Sequence, residues 1–157
     1  MEIELDCTLE EAKTWLRARI EKGATCPLCH QYAKLYKRKL NAGMAKFLLD
    51  FYKLGRHDKF HHIANLLHFQ TKTSGTDFYL LKFWGLIQDR PKDPDSDTKT
   101  SGYWQITDHG IAFVRCEVKL KSHVCLYGGR FFGFEGQDVT IDQCLGDRFS
   151  YSELMGA

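Results

Sequence analysis

Positions Leu9, Ala12, Trp15, Leu16, Arg19 and Ile20 recur at helical spacing as a mainly hydrophobic stripe and predict a first amphipathic helix. Thr8 and Glu11 hold the capping-box spacing ahead of it, and Gly23 is its expected stop. The opposite face, Glu10, Lys13, Arg17 and Glu21, mixes signs as a solvated surface does, so this helix is expected to pack on the domain. A second stripe, Met44, Phe47, Leu48, Phe51 and Leu54, lies between the cap residue Asn41 and the terminator Gly55. Phe60, Ile63, Ala64, Leu66 and Leu67 predict a shorter helix, followed by the polar turn Gln70 to Gly75. Thr76 and Asp77 are cap types for a third helix carrying Phe78, Leu81 and either Phe83 or Trp84. Gly85 closes that helix and Leu86-Ile87 opens a strand.

Beyond a polar loop the period changes from helical to two. Tyr103, Gln105 and Thr107 alternate with Trp104 and Ile106, the pattern of a half-buried strand. Asp108-His109-Gly110 turns the chain into a closing helical turn at Ile111 to Val114. A hairpin is then expected from Val118 to Tyr127, through Gly128-Gly129, and back along Arg130 to Phe134. Glu135 to Asp138 is read as a turn. Val139-Thr140-Ile141 either joins the sheet or leads into a short helix at Asp142 to Leu145, and Phe149 to Met155 forms a final helical turn. Phe131, Phe132 and Phe134 are crowded for one small hairpin. They predict a hairpin sandwiched between a sheet and the first helix, with a dimer or partner surface as the alternative.

At 157 residues, 43% hydrophobic and 27% charged, the chain has the composition of one ordinary globular domain. Its organisation is expected to be a single folded unit with three parts: an N-terminal helix, knuckle and basic segment over 1–40, a core over 41–117, and a hairpin and tail over 118–157. A net charge of +2 leaves room only for a local nucleic-acid surface. The acidic opening Met1 to Asp6 is not a signal peptide, and no apolar run approaches the length of a membrane span. The expectation is a cytoplasmic protein with six reduced cysteines and no membrane partner.

Cys26-Pro27-Leu28-Cys29 is the strongest chemical motif. Two thiolates two residues apart can grip one zinc ion through a shared turn. Cys26 and Cys29 are therefore candidate ligands of one structural Zn2+. The other two ligands stay open among His30, Cys7, His57, His61, His62, Cys116, Cys125 and Cys144. A redox pair and two plain buried thiols are the alternatives. Next comes a basic run, Lys34, Lys37, Arg38 and Lys39, interleaved with Tyr32 and Tyr36. Such residues neutralise and hydrogen-bond phosphates, against the plainer reading of a solvated helix face. Lys46, Lys53, Arg56 and Lys59 continue the excess, opposed by Asp50 and Asp58. His57 and His61 have the spacing of a chelating helical pair, and partly exposed histidines beside a basic surface are the favoured alternative.

Leu-x-x-x-Gly-Leu-Ile from Leu81, a loop, then Gly-Tyr-Trp-x-Ile-Thr-x-x-Gly from Gly102 to Gly110 resembles the recognition-helix-and-wing half of a winged helix-turn-helix domain. The preceding helix, short helix and polar turn extend the resemblance back to Asn41. The fold class it implies is α+β: a winged helix-turn-helix core with an N-terminal helix, a Cys-x-x-Cys knuckle and a C-terminal β-hairpin. In that family the start of the third helix meets base edges and phosphates of double-stranded DNA. Carried over, the resemblance makes Lys72, Thr73, Ser74, Thr76, Tyr79 and Lys82 candidate DNA contacts. The helix offers no Arg, Asn or Gln for bidentate readout, and Asp77 is expected to cap it. The loop Pro91 to Thr100 departs from the family pattern. It carries three aspartates against two lysines where a minor-groove wing is usually basic.

Cys-x-x-Cys followed by His61-His62-x-x-Asn65 also resembles a treble-clef nuclease, but the second cysteine pair and glycine-rich hairpin of that family are missing. Over its whole length the chain is similar to small uncharacterised proteins of tailed bacteriophages. That resemblance implies a phage origin, a bacterial host cell and a DNA-binding role. No nucleophile with a base, no phosphate-cradling glycine loop and no carboxylate pair stands out, so the chain is not expected to be an enzyme. The leading expectation is a regulatory winged-helix DNA-binding protein that one structural Zn2+ could stabilise. The alternative is a module of the same fold that inhibits or adapts a host protein complex. A homodimer is compatible with both.

Overall fold

A computed structural model of the chain describes residues 6–66, 77–95, 97 and 101–156. The architecture is mixed α+β with three small antiparallel sheets. It divides into two compact units, residues Met1–Arg38 with His123–Glu135, and Lys39–Ser122 with Gly136–Ala157.

The first unit opens with α1 (Leu9–Arg17), where the Thr8 hydroxyl accepts from the Glu11 N–H at 3.1 Å. The apolar stripe predicted a helix running on toward Gly23. The helix instead ends at Arg17, and the chain continues in turns in which the Gly23 N–H donates to the Arg19 carbonyl. Arg19 explains part of the difference: its guanidinium lies 4.4 Å from the Trp15 ring and donates to the Trp15 carbonyl, fastening the last turn from the side. Strands β1 (Ala24–Thr25) and β2 (Tyr32–Ala33) pair antiparallel, with Ala24 opposite Ala33 and Thr25 opposite Tyr32. Gly23 enters the hairpin at a φ of 95° that a side chain would resist, and the Tyr32 hydroxyl lies 1.9 Å from where a Cβ would stand.

The basic run does not sit on a helix. Lys37, Arg38 and Lys39 form β3 (Tyr36–Lys39), all four residues of which are exposed, and Lys34 lies in the link between β2 and β3. β3 lies beside β7 (Leu120–Tyr127), which lies beside β8 (Arg130–Val139). The Gly128-Gly129 hairpin turn is where the sequence put it, but β8 runs on through the expected turn at Glu135 to Asp138. Gly133 and Gly136 take φ of 116° and 92° within the strand, values that a side chain would resist. Phe131, Phe132 and Phe134 are 49%, 55% and 45% exposed, so the sandwiched hairpin is not observed.

The second unit is organised around α2 (Ala42–Leu54), capped by the Asn41 side chain at the Met44 N–H, 2.9 Å away, and ended by Gly55. Met44, Ala45, Phe47, Leu48, Leu49 and Phe51 are buried. The helix contacts a 3₁₀ helix (Asp77–Trp84), α3 (Asp108–Val114) and α4 (Ile141–Leu145). Phe47 stacks on Phe78 at 4.9 Å, and Trp104 meets Phe78 edge-on at 5.6 Å.

Two helical expectations change here. His61 and His62 form the short strand β4, paired with Trp104 and Tyr103, and Ile63–Asn65 is one 3₁₀ turn rather than part of a helix. Strand pairing wins because Ile63 also donates to the Gly102 carbonyl at 2.7 Å, which a helix at 60–67 would forfeit. The third helix is 3₁₀, not α, over its described length. Phe78, Leu81 and Trp84 are three residues apart and all buried, the period at which 3₁₀ side chains align.

β5 (Ile87–Asp89) and β6 (Tyr103–Ile106) complete the sheet in the order β4–β6–β5, and Trp104 and Ile106 are buried as their alternation predicted. α3 presses onto this sheet at Gly110, where a Cβ would sit 2.2 Å from the Leu86 carbonyl oxygen. α5 (Tyr151–Leu154) is tied down by the Tyr151 hydroxyl, which donates to the Val114 carbonyl at 2.7 Å.

Candidate nucleic-acid interface and cysteine knuckle

The cysteines of the first unit occupy the turn of the β1–β2 hairpin. The Cys26 N–H donates to the Gln31 carbonyl at 2.7 Å, and the His30 N–H donates to the Cys26 carbonyl at 2.9 Å. His30 takes a left-handed φ of 62°, which folds the chain back after Cys29. Inside this turn the Cys26 sulfur accepts from the backbone N–H groups of Cys29 and Leu28, and these bonds hold its pKa below the ordinary thiol value. The turn therefore presents one acidified thiol beside a second, exposed thiol, chemistry that suits a soft divalent metal. Among the described residues no group of three or more His, Cys, Asp or Glu is placed to hold a metal ion.

His57 and His61 do not share a helix face. The His57 Nε2 lies 2.8 Å from the Tyr52 carbonyl, and the His61 Nε2 lies 3.2 Å from the Arg56 carbonyl. Each ring is engaged separately with backbone. Cys125 is buried, and burial raises its pKa. Cys144 is pushed up to about 12, again chiefly by burial.

The basic residues separate into different environments. Lys34 Nζ lies 5.7 Å from the Tyr36 ring centroid. Lys37 forms a 2.9 Å ion pair with Glu135, and this hydrogen bond and charge raise the lysine pKa. A phosphate would compete with Glu135 for Lys37. Arg38 and Lys39 are exposed on the same strand. Tyr32 and Tyr36, also exposed, bring aromatic surface into this basic stretch.

On the 3₁₀ helix, Tyr79 and Lys82 are the exposed members, between the buried Phe78, Leu80, Leu81 and Trp84. Lys72, Thr73, Ser74 and Thr76 lie outside the described residues. Just after β5, the Arg90 guanidinium lies over Tyr103, 3.9 Å from its ring centroid. Asp93, Asp95 and Asp97 are exposed farther along the chain.

One feature was not found from the sequence. A polar cleft of about 600 Å³ is lined by His57, Asp58, Gln88, Gln105, Ile106, Thr107, Asp108 and His109. Its floor is ordered by the Gln105 side chain, which donates to the His57 carbonyl and accepts from Gln88, both at 2.8 Å. The available signal was the polar half of the alternation from Tyr103 to Thr107, which puts Gln105 and Thr107 on one side. The cleft offers hydrogen-bond donors and acceptors from these side chains.

Comparison with protein-family models, with curated proteins and with solved structures finds no match. No helix of the described residues is long and apolar enough to cross a membrane.

Proposed function

We propose that the second unit is a winged helix-turn-helix module and that the chain is a regulatory protein binding double-stranded DNA in a phage-infected bacterial cytoplasm. The observation that carries this reading is connectivity. Among the described residues, helix α2, strand β4, the 3₁₀ turn Ile63–Asn65, the 3₁₀ helix, β5 and β6 follow one another, and the three strands lie in the antiparallel order β4–β6–β5. In a winged helix this order sets the last helical segment before the hairpin against the major groove and leaves the hairpin loop as the wing. Tyr79 and Lys82 then face the groove, with Lys72, Thr73, Ser74 and Thr76 leading into them. Lys34, Arg38 and Lys39 supply phosphate contacts, and Lys37 contributes only by giving up Glu135.

The wing contributes little in this reading, because its aspartates repel the minor-groove potential. Affinity should rest on phosphate neutralisation and fall steeply as salt rises. Fluorescence anisotropy of a labelled random duplex across a salt series tests this. Binding at low salt that weakens linearly on a log–log plot is expected, and failure to bind at any salt would exclude the reading. A second reading is favoured by the exposed Phe131, Phe132 and Phe134: the chain inhibits or adapts a host protein. Specific recovery of one host complex, lost on Phe132→Ser, together with absent DNA binding, would favour it.

A further inference from the structure

We propose that Cys26 and Cys29 are half of a zinc site whose other half is Cys26 and Cys29 of a second copy of this chain. The knuckle is already built for its half. Backbone bonds from Cys26 to Gln31 and from His30 to Cys26 close the turn, and the N–H groups of Cys29 and Leu28 point at the Cys26 sulfur. Zinc in a structural site takes four ligands in a tetrahedron. One knuckle fills one edge of that tetrahedron with two sulfurs two residues apart.

The surroundings direct the open edge outward. Cys29 is exposed, Leu28 between the two cysteines is 51% exposed, and Tyr32 at the base of the hairpin is 61% exposed. An apolar residue at the tip of a metal-binding turn is poorly placed facing water and well placed against a copy of itself. Two identical knuckles meeting across a two-fold axis would supply four thiolates and bring Leu28 onto Leu28 in one self-complementary contact. Among the described residues no third ligand joins Cys26 and Cys29 within the chain. Binding converts up to four thiols to thiolates and releases their protons to solvent, so zinc affinity should fall as pH is lowered.

The test uses the full-length chain, reduced and loaded with Zn2+, with metal content and molar mass measured on the same sample. About one zinc ion per two chains, on a dimer that a chelator returns to monomer, is the expected result. The Cys29→Ser chain should stay monomeric and lose the metal while keeping its circular dichroism spectrum. One zinc ion per chain on a monomer, no retained zinc, or a dimer indifferent to chelator would each overturn the proposal. The result is independent of DNA binding: a monomer that still binds duplex would sink the zinc bridge and leave the proposed function standing.

Discussion

The two units are stabilised in different ways. In the second, Phe47, Phe51, Phe78, Trp84, Trp104 and Phe113 are buried around one helix, and the aromatic pairs lie at stacking or edge-on distances. In the first, the buried apolar residues among those described are Ala12, Ala33, Val124, Cys125 and Leu126, while its tyrosines and phenylalanines at 32, 36, 131, 132 and 134 are exposed. Large aromatic side chains carry the most burial energy per residue. The second unit spends them on its core, and the first presents them to solvent. The first unit therefore depends more on backbone pairing and turn geometry, and on any ion its knuckle holds.

Breaking the packed side should produce the largest effect. Phe47→Ala removes a ring that contacts both Phe51 and Phe78 and should cost about 3–5 kcal/mol by urea denaturation. Gly110→Ala comes next, at about 1–3 kcal/mol, because its Cβ meets the Leu86 carbonyl and the Ile106 side chain. A backbone oxygen cannot swing aside, so a loss below 0.5 kcal/mol would contradict the close approach of α3 to the sheet. On the hairpin side the matching change is smaller. Gly23→Ala should cost about 1–2 kcal/mol for its φ of 95°, with the Tyr32 hydroxyl free to move away. Local amide exchange at Ala24 and Ala33 should report it more sharply than global unfolding does.

Thiol chemistry sharpens the same contrast without changing the sequence. In metal-free protein at pH 8, iodoacetamide should modify Cys26, whose thiol is acidified by backbone N–H groups, and the exposed Cys29 and Cys116 before the buried Cys125. Cys144, with its pKa pushed up to about 12, should react only after unfolding. That raised value also has a stability consequence. The folded state holds the Cys144 proton more tightly than the unfolded chain, so the contribution is present below about pH 9 and is lost as pH rises toward 12. Tyr151, likewise pushed up to about 12 chiefly by burial, acts in the same direction. Stability that rose with pH across this range would contradict both.

Most of the second unit was legible because its signals are local. Asn41 and Gly55 bracket α2, and the alternation around Trp104 and Ile106 fixed both a strand and its buried face. Contacts distant in sequence hid the rest. Nothing near His61 and His62 announces pairing with Trp104 and Tyr103, some forty residues on, so local periodicity favoured a helix. The Lys37-Arg38-Lys39 run lacks a buried face and shows no strand alternation. Its extended form is set by its place beside β7. Gly136 within Glu135 to Asp138 suggested a turn, but its positive φ, like that of Gly133, is accommodated inside a strand. At the candidate site, the cysteine knuckle was readable from four residues. The cleft around Gln105 was not, because it assembles side chains from three separate stretches of chain.

The most direct test of the central claim is amide hydrogen exchange of the chain with and without duplex DNA at low salt. The winged-helix account predicts added protection over Asp77–Trp84, with little change in the acidic loop after Arg90. Protection confined to the first unit, with Asp77–Trp84 exchanging as in the free protein, would contradict it.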